Sequence, residues 1–548
     1  MSVMELQACI HTLISALPTA HAVISPGSRN APVVYALDQS SKMCHSIVDE
    51  RSAGFVALGI AKATRKPVIL SCTSGTAALN YYPAIAEAFY ARVPLIVITA
   101  DRPPEAIDQW DGQAIRQKGV FDKHVRAQFQ TPDSYHDVSA FADIAQRVIT
   151  CLQNEIDGPI HINVPIREPF YDATRDGIGE SLVLPEQTSI SIKLSDIAAY
   201  IQSDFALKKV LVFHGMETAE KVEIVTQGSI PELCDVTSHQ VSNIHYWDAM
   251  LFCAQTKKEG LDFLKVLQPD VLITTGTTTV SKGLKRFLRH LKPAMHLHIS
   301  SYYEVGDMFG TSPQVINPQV IKTKTANLPQ PETCSDAYKV AWDNLTNEFS
   351  ERFKALDWKA YNEFTATNYM IANLPSNAMV HLSNSMPVRY VSFLLNAGTD
   401  NLRVYSNRGT SGIDGSTSTA VGHALVVDEP VYLITGDVAF LYDVNALFNT
   451  KLPQNLKIII LNNASGGIFD MIDGPQKLGE SIKYQTTPHA YNASHLAAHF
   501  QLEYFAGNTI GSFAQGLDDL MESDGAAILE VFTSSEKNQA FFEAFKSL

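Results

Sequence analysis

The amino-acid sequence predicts an α/β protein with three α/β domains, each built on a central, mostly parallel sheet. Short apolar runs alternate with helix-like stretches along most of the 548 residues, which is typical of parallel sheets covered by helices. The length exceeds that of a usual single domain. A hydrophobic fraction of 45% with a charged fraction of 18% is typical of a soluble globular protein.

The first domain is predicted over residues 1–185. A helix is expected from Met1 to Leu17, and the predicted strands are Ala22 to Ser25, Ser46 to Val48, Val68 to Cys72, Leu95 to Thr99 and Ile160 to Val164. The stretch from Arg167 to Ser189 has little apolar periodicity, so it is predicted to be a linker.

The central domain is predicted over residues 186–355 and the third domain over residues 356–548. The central strands are Val210 to Phe213, Val271 to Thr275 and Met295 to Ile299. The Pro-containing stretch Asn327 to Cys334 and a helix from Ser335 to Phe353 follow them. The strands of the third domain are Val380 to Leu382, Arg403 to Tyr405, Val431 to Thr435, Leu456 to Leu461 and Ala527 to Val531.

Polar residues follow two consecutive strands of the third domain. One strand ends at Gly436-Asp437 and the next at Asn462-Asn463, with a helix predicted at Leu441 to Thr450 between them. Such a crossover places both strand ends side by side at an edge where ligands bind. A carboxylate and an amide oxygen suit Mg²⁺, which keeps positions for phosphate oxygens. The alternative is that they are ordinary turn residues.

Two loops of small residues would let the backbone approach a flat ligand. The run Thr73 to Asn80 is a strand-end loop that leads into a helix, and Arg408 to Gly415 leads into another. Neither matches the dinucleotide fingerprint. Glu50 stands at a strand–helix junction. A glutamate at such a place often interacts only with the helix dipole, so a functional role for Glu50 has to be inferred from the other residues of the site.

Cations recur where ligand-binding edges are expected. Ser28 and Arg29 lie in a turn before a helix, whose first amides favour an anion. The cations that follow strands are Arg102, Lys282, Arg389 and Arg408. Each alone is more often a surface charge, but together they predict substrates with two or more carboxylates.

The formal charge of -15 argues against binding to nucleic acid or anionic membranes, because most of the surface would repel phosphate groups. The seven cysteines include no C-x-x-C pair, so neither a disulfide framework nor a cysteine zinc site is predicted. The chain lacks a signal-peptide pattern and an apolar stretch long enough to cross a membrane. The cytoplasm is therefore the expected location.

The residues described so far resemble the thiamine-diphosphate enzyme superfamily, whose diphosphate motif begins Gly-Asp and ends Asn-Asn. Further segments resemble, in chain order, the branch that acts in menaquinone biosynthesis: Ser25 to Arg29, Asp49 to Arg51, Thr73 to Thr76, Ala100 to Glu105, Gln113 to Gln117 and Tyr405 to Gly409. The resemblance covers nearly the whole chain. It implies the thiamine-diphosphate-binding fold, with a pyrimidine-binding first domain and a diphosphate-binding third domain.

The resemblance also implies a site for thiamine diphosphate and Mg²⁺. Asp437, the Asn463 side chain and the Ser465 backbone carbonyl would hold the metal. Glu50 would hydrogen-bond the aminopyrimidine ring in an apolar pocket, where a carboxyl group can share a proton, and Ile413 would prop the cofactor in a bent shape. The other implied cofactor contacts are Thr73, Ser74, Gly75, Asn80, Ser385, Gly436 and Phe469.

The implied reaction is decarboxylation of 2-oxoglutarate and conjugate addition of the succinyl carbanion equivalent to isochorismate. The residues implied for the succinyl end are Ser385, Arg389 and Arg408. Those implied for isochorismate are Ser28, Arg29, Arg102, Gln113 and Lys282, with Phe469 lining the pocket. The implied catalytic residues are Glu50, Gln113 and Arg389. The chain departs from many relatives at Gly112, where they have Asn, and from some at Gly283, where they have a second basic residue.

In this superfamily the glutamate and the diphosphate motif meet across a subunit interface, which implies a homodimer or homotetramer. Two other functions stay open. One is a different thiamine-dependent 2-oxoacid decarboxylase or carboligase of the acetolactate synthase type. The other is a noncatalytic thiamine-diphosphate-binding protein.

Overall fold

The computed structural model describes residues 3–153, 158–168, 170–171, 189–202, 205, 208–218, 220–226, 230–302, 304–325, 336–376, 378–394, 402–449, 451–472 and 474–548. The chain splits into two compact units. Unit 1 comprises Met1–Glu186, Gly409–Glu429 and Tyr442–Leu456, and unit 2 comprises Gln187–Arg408, Pro430–Leu441 and Lys457–Leu548. The boundaries of the three domains stay a prediction.

The helices and strands follow one another in the alternation that the sequence predicts. The first part of the chain contains α1 (Val3–Ala16), β1 (His21–Ile24), α2 (Ala31–Asp38), β2 (Met43–Ser46), α3 (Glu50–Thr64), β3 (Val68–Cys72), α4 (Thr76–Asn80), α5 (Tyr82–Ala91), β4 (Leu95–Asp101), β5 (Ala127–Gln130), α6 (Val138–Gln153) and β6 (Ile160–Pro165). The middle part contains β7 (Ile190–Lys193), α7 (Leu194–Tyr200), β8 (Val210–His214), β9 (Val222–Val225), β10 (Glu232–Cys234), α8 (Trp247–Ala254), α9 (Gly260–Phe263), β11 (Val271–Thr275), α10 (Lys282–His290), β12 (Met295–Ile299), β13 (Gln314–Ile316), α11 (Pro318–Thr325) and α12 (Ala337–Lys354). The last part contains α13 (Glu363–Asn373), β14 (Met379–Leu382), α14 (Met386–Phe393), β15 (Arg403–Tyr405), α15 (Ser416–Ala424), β16 (Val431–Gly436), α16 (Asp437–Tyr442), β17 (Leu456–Asn462), α17 (Ile468–Met471), α18 (Lys483–Thr486), α19 (Ser494–His499), β18 (Glu503–Gly507), α20 (Ile510–Glu522), β19 (Ala527–Phe532) and α21 (Ser535–Lys546).

A six-stranded parallel sheet lies in unit 1, in the order β2-β1-β3-β4-β6-β5. Strands β3, β4 and β6 are buried along their whole length, as expected where helices cover both faces. The strand predicted at Ser46 to Val48 is wrong in position, because β2 ends at Ser46. This edge strand is largely exposed, and the apolar Ile47 and Val48 that suggested a strand lie beyond it.

Helix α3 of unit 1 crosses α15 at very short range. The backbone oxygen of Thr419 lies 2.1 Å from the place where a Cβ on Gly59 would stand, and the oxygen of Val56 lies 2.1 Å from a Cβ on Gly422. Only glycine leaves room for two helix backbones this close. The crossing fixes the helix that begins at Glu50.

Unit 2 contains two larger parallel sheets and the small parallel pair β7-β9. The central sheet has the order β10-β8-β11-β12-β13, and the third sheet has the order β15-β14-β16-β17-β19-β18. One apolar core with Trp247, Trp342, Phe364 and Phe545 runs from the helices of the central sheet to those of the third. Helices α8, α10 and α14 are therefore parts of one packed body.

The predicted adjacency of the two metal-ligand strands is confirmed, since β16 and β17 are neighbours in the third sheet. The helix predicted at Leu441 to Thr450 is wrong in position. Helix α16 instead begins directly at Asp437, and a 3-10 turn follows at Val444–Leu447. Asp443 lies between helix α16 and the 3-10 turn. Its buried carboxylate accepts two 2.7 Å hydrogen bonds, from the Ser418 N–H and from the Ser418 hydroxyl.

Most of the predicted linker from Arg167 to Ser189, and the stretch Asn327 to Cys334, lie outside the described residues. The sequence also missed β5, β7, β9, β10, β13 and β18, which are short strands. Within the described ranges, every helix is too short or too polar to cross a lipid bilayer.

Candidate functional site

The carboxyl ends of four neighbouring strands in unit 2 carry the polar residues singled out in the third domain. Strand β15 leads to Arg408, β14 to Ser385 and Arg389, β16 to Asp437 and β17 to Asn463. The order β15-β14-β16-β17 makes these ends adjacent. This edge is where parallel sheets bind ligands.

Asp437 is a buried carboxylate with one uncommitted oxygen. Its side chain is 4% exposed, and Oδ1 accepts a 2.7 Å hydrogen bond from the Val438 N–H. Oδ2 accepts no hydrogen bond from any described residue, although His489 Nε2 lies 3.3 Å away. Burial raises the pKa of Asp437, while Val438, His489 and the backbone N–H groups of Ala464 and Ser465 favour its charged form. Such an oxygen is suited to a cation.

Asn463 presents its amide oxygen to the same edge. Oδ1 accepts from the Ser465 N–H at 2.9 Å and from the Ser465 hydroxyl at 3.2 Å. The amide nitrogen donates to Glu363 Oε1 at 2.7 Å, and Tyr390 OH donates to Glu363 Oε2 at 3.1 Å. Burial, and after it the charge of Asp437, raise the pKa of Glu363 to about 7.

The residues at this edge fit a magnesium-bound diphosphate. Carboxylate, amide and backbone oxygens are the ligands of a hard cation. A Cβ built on Gly436 meets no atom within 4 Å, so there is open space beside Asp437 at the end of β16. Asp437 Oδ2, without a hydrogen-bond donor among the described residues, is the observation that decides the fit.

The cations of unit 2 act on one another. Burial, followed by the charge of Arg408, lowers the pKa of Arg389 to about 10. Burial and then the charges of Arg389 and Arg408 lower the pKa of Lys282. Lys285, one turn further along α10, has its pKa lowered by burial and then chiefly by Arg408. Clustered cations that disfavour one another's charge form a receptor for anions.

Ser385 holds an unusual backbone conformation between β14 and α14. Its φ of +78° lies in the region that non-glycine residues rarely adopt. Arg389 folds back so that its guanidinium donates to the Ser385 carbonyl, and Arg408 donates to Asn384 Oδ1 at 2.6 Å. The structure therefore brings Ser385, Arg389 and Arg408 together, and their role at one end of a substrate stays a prediction. Phe469 lies half-buried beyond β17.

Glu50 is the first residue of α3 in unit 1. Asp49 caps the helix by accepting from the Arg51 and Ser52 N–H groups, and Asn445 donates to Asp49 Oδ2 at 2.7 Å. Asn80 donates to Glu50 Oε2 at 3.3 Å, so the structure joins two predicted cofactor contacts. Glu50 is half-buried in this chain, and the apolar pocket predicted around it stays a prediction.

The backbone turn at Gly75 lies close to Gln113 and Gln117. Gly75 has φ +86°, and its N–H donates at 3.2 Å to Gln117 Oε1, which is anchored to β4 through a bond to the Ala100 carbonyl. A Cβ on Gly75 would lie 3.2 Å from Gln113, so Gln113 and the turn are neighbours. The buried Ser74 hydroxyl has no hydrogen-bond partner in the described part of the chain.

Arg29 and Arg102 converge on one carboxylate. Arg29 is buried and donates to the Ile166 carbonyl at 2.8 Å and to Glu168 Oε1 at 2.9 Å. Arg102 lies 3.7 Å from the same oxygen and donates to the Gly112 carbonyl at 2.7 Å. Glu168 is largely exposed, so an incoming carboxylate could take its place.

Two predicted residues of unit 1 have fewer contacts. Ser28 is exposed in the turn before α2. Ile413 is half-buried in the loop that leads to α15, and a Cβ on the neighbouring Gly415 would stand 2.1 Å from the ring of Phe55. That loop is therefore packed on α3.

Sequence reasoning missed several residues that support the site: Lys285, Glu363, His489, Gln117 and Asp443. Glu363 follows Asn362, a residue type that caps helices, so the local pattern signals a helix start and not a buried acid. His489 belongs to a stretch without strand or helix periodicity. The spacing of Lys282 and Lys285 on one face of α10 is a signal that could have identified the second lysine.

Two family matches cover the segments that carry Glu50, Asp437 and Asn463. Residues 4–128 match the family described as "Thiamine pyrophosphate enzyme, N-terminal TPP binding domain". Residues 393–531 match "Thiamine pyrophosphate enzyme, C-terminal TPP binding domain". The α/β fold with thiamine-binding N- and C-terminal domains is thus confirmed.

Curated relatives are similar over nearly the whole chain, and they carry one description, 2-succinyl-5-enolpyruvyl-6-hydroxy-3-cyclohexene-1-carboxylate synthase. The chain is 37% identical to that of Flavobacterium johnsoniae over 538 residues, 95% of each chain. It is 38% identical to that of Cytophaga hutchinsonii, over 96% of this chain and 95% of the relative. It is 32% identical to that of Bacteroides thetaiotaomicron, over 96% and 95%.

Proposed function

The chain belongs to the 2-succinyl-5-enolpyruvyl-6-hydroxy-3-cyclohexene-1-carboxylate synthase family of thiamine pyrophosphate enzymes, and we propose that the residues described above carry out this synthesis from 2-oxoglutarate and isochorismate. It is a thiamine-diphosphate-dependent synthase of menaquinone biosynthesis. When bound, the cofactor supplies the nucleophilic carbon and the electron sink for loss of CO₂. The chain's own residues bind and orient the cofactor and the substrates, and they hold protons.

Asp437 and Asn463, with the Ser465 backbone carbonyl, hold Mg²⁺ on the diphosphate. Support comes from the buried Asp437 Oδ2, which receives no hydrogen bond from the described residues, and from the adjacency of β16 and β17. His489 Nε2 lies 3.3 Å from that oxygen, so the oxygen is within reach of a polar group. Gly436 leaves space for the phosphate oxygens.

Glu50 shares a proton with the pyrimidine ring of the bound cofactor. Its place at the first turn of α3 is fixed by the Asp49 cap and by the glycine crossing of α3 with α15. Asn80 orients one carboxylate oxygen, leaving the other for the ring. Thr73, Ser74 and Gly75 offer small side chains and a turned backbone beside a flat ligand.

The two groups of cations receive the two dianionic substrates. Arg389 and Arg408, with Ser385, take the succinyl carboxylate of 2-oxoglutarate, and their mutual repulsion is relieved when an anion binds. Arg29 and Arg102 take isochorismate together with Ser28 and Gln113. The assignment of Lys282 to isochorismate stays a prediction. The Glu168 carboxylate between the first two supports an anion site there.

The protein assembles as a homodimer or homotetramer in which Glu50 of one copy serves the diphosphate site of another. This proposal rests on the resemblance to the superfamily. Glu50→Gln and Asp437→Asn variants, each inactive alone, should recover about a quarter of the wild-type activity after mixing and subunit exchange, because half of the dimers carry one intact site. A mixture that exchanges subunits and stays inactive would contradict the shared site.

The observation that carries the proposed function is the buried Asp437 Oδ2, which accepts no hydrogen bond from the described residues, at the end of the strand next to the one that leads to Asn463. The test is incubation of the protein with thiamine diphosphate, Mg²⁺, 2-oxoglutarate and isochorismate, followed by mass analysis of the product. We expect the synthase product, and none from Asp437→Asn. CO₂ release from pyruvate but not from 2-oxoglutarate would instead favour an acetolactate-type enzyme, and cofactor binding without turnover of either acid would favour a noncatalytic protein.

A further inference from the structure

The Asp248 carboxylate links two helices of unit 2 that carry cations. Asp248 lies in α8 and is 2% exposed. Its Oδ1 accepts a hydrogen bond from the Ser281 hydroxyl, and its Oδ2 accepts one from the Ser392 hydroxyl. Both oxygens of one buried acid are thus committed to hydroxyls on different helices.

Each serine is close in sequence to a predicted substrate cation. Ser281 caps α10, accepting from the Leu284 N–H at 2.9 Å, and Lys282 is the first residue of that helix. Ser392 lies one helical turn after Arg389 in α14. A shift of Asp248 would therefore be transmitted to the start of one helix and to the cation-bearing turn of the other.

Asp248 is a buried acid in a part of unit 2 that contains several cations. Burial, and after it the charges of neighbouring cations, lower the pKa values of Arg389 and Lys282. The negative charge of Asp248 acts in the opposite direction on Arg389. A negative charge that is hydrogen-bonded from both sides can hold repelling cations in place without occupying the site.

We propose that Asp248 is a positioning residue that fixes Arg389 and the Lys282 end of α10 relative to each other, and so sets the preference of the site for dicarboxylic 2-oxoacids. The inference rests on the proposed function, since it assumes that Arg389 receives the distal carboxylate of 2-oxoglutarate. Asp248 itself touches neither substrate nor cofactor in this account. A purely structural role in the core is the competing explanation.

Substitutions separate the two explanations. Asp248→Asn has the same shape and can keep contacts to both hydroxyls, because a serine hydroxyl also accepts, but it removes the charge. Ser392→Ala breaks only the link to α14 and leaves the cap of α10 intact. Ser350→Ala, at a buried serine of α12, is the matched control for loss of a buried hydroxyl.

The measurement is kcat and KM for CO₂ release from 2-oxoglutarate and from 2-oxopentanoate, which lacks the distal carboxylate, using the cofactor-loaded protein. We expect Asp248→Asn and Ser392→Ala to lower the ratio of kcat/KM for 2-oxoglutarate to kcat/KM for 2-oxopentanoate by about tenfold, mainly because KM for 2-oxoglutarate rises. Ser350→Ala should leave the ratio unchanged at a similar melting temperature.

Equal losses for both acids in Asp248→Asn and Ser392→Ala, or an unchanged ratio, would overturn the positioning role and favour a structural one. A wild-type protein without preference for 2-oxoglutarate would instead overturn the proposed function. The two failures are thereby distinguishable.

Discussion

The amide nitrogen of Asn463 donates a hydrogen bond to the Glu363 carboxylate across 2.7 Å. Glu363 Oε1 accepts this bond, so the nitrogen end of the Asn463 amide faces Glu363. The amide oxygen faces away from Glu363 and accepts from the Ser465 N–H and hydroxyl. Glu363 thus orients a proposed metal ligand without being one.

Replacing Glu363 should therefore weaken metal binding. Glu363→Ala removes the acceptor, and we expect the Mg²⁺ concentration for half-maximal thiamine diphosphate binding to rise about 10- to 100-fold, as for other residues that orient metal ligands. Glu363→Gln is the control, because its amide oxygen can still accept from Asn463. Equal Mg²⁺ requirements in the folded Ala variant and the wild type would contradict this role.

Glu50→Gln should fold and bind thiamine diphosphate but lose product formation. The amide keeps the shape and the bond to Asn80, yet it cannot share a proton with the pyrimidine, so we expect kcat to fall by at least about 100-fold. Calorimetric cofactor titration and product assay of the same preparation provide both readouts. Undiminished synthesis would refute the assignment.

Gly59→Ala should destabilise the fold. A Cβ at this position would stand 2.1 Å from the Thr419 carbonyl oxygen, so α3 and α15 must separate, at a cost of about 1–3 kcal/mol. Gly511→Ala in α20 is the matched control, because its Cβ would meet no atom within 4 Å. Urea unfolding of both variants gives the comparison, and equal stabilities would show that the crossing is not tight.

Asp443 should make stability depend on pH. Burial raises its pKa from 3.8 to about 7, so the folded protein holds this proton more tightly than the unfolded chain. The resulting stabilisation is present below pH 3.8 and is lost as the pH rises towards about 7. Asp443→Asn should therefore gain stability relative to the wild type with increasing pH across that interval. A pH-independent difference in unfolding free energy would contradict the shift.

Much of the fold is predictable because the central strands of parallel sheets are continuous apolar runs. Val68–Cys72, Val271–Thr275 and Met295–Ile299 have the predicted bounds. Edge strands such as β2 and β5 are half-exposed, so their sequences carry little apolar signal. The crossover at Leu441 to Thr450 was misplaced because Asp443, a polar residue in sequence, is buried by contacts with a distant segment.

The residues of the candidate site, like the strands, could be predicted where the local sequence carries a signal. Asp437 and Asn463 are recognisable because each ends an apolar strand. Glu363 and Asp248 act through side chains 100 and 144 residues away in the sequence, and local patterns carry no information about such pairs. Cations could be predicted as a group, but the contact of Arg29 and Arg102 with one carboxylate required the structure.

We propose that the edge formed by β16 and β17 binds a magnesium-clamped thiamine diphosphate through Asp437. The decisive experiment is calorimetric titration of the cofactor at saturating Mg²⁺, with Asp524→Asn, at an exposed acid that precedes β19, as the control. We predict wild-type affinity in the control and a loss of at least about 100-fold in Asp437→Asn. Wild-type affinity in Asp437→Asn would contradict the account.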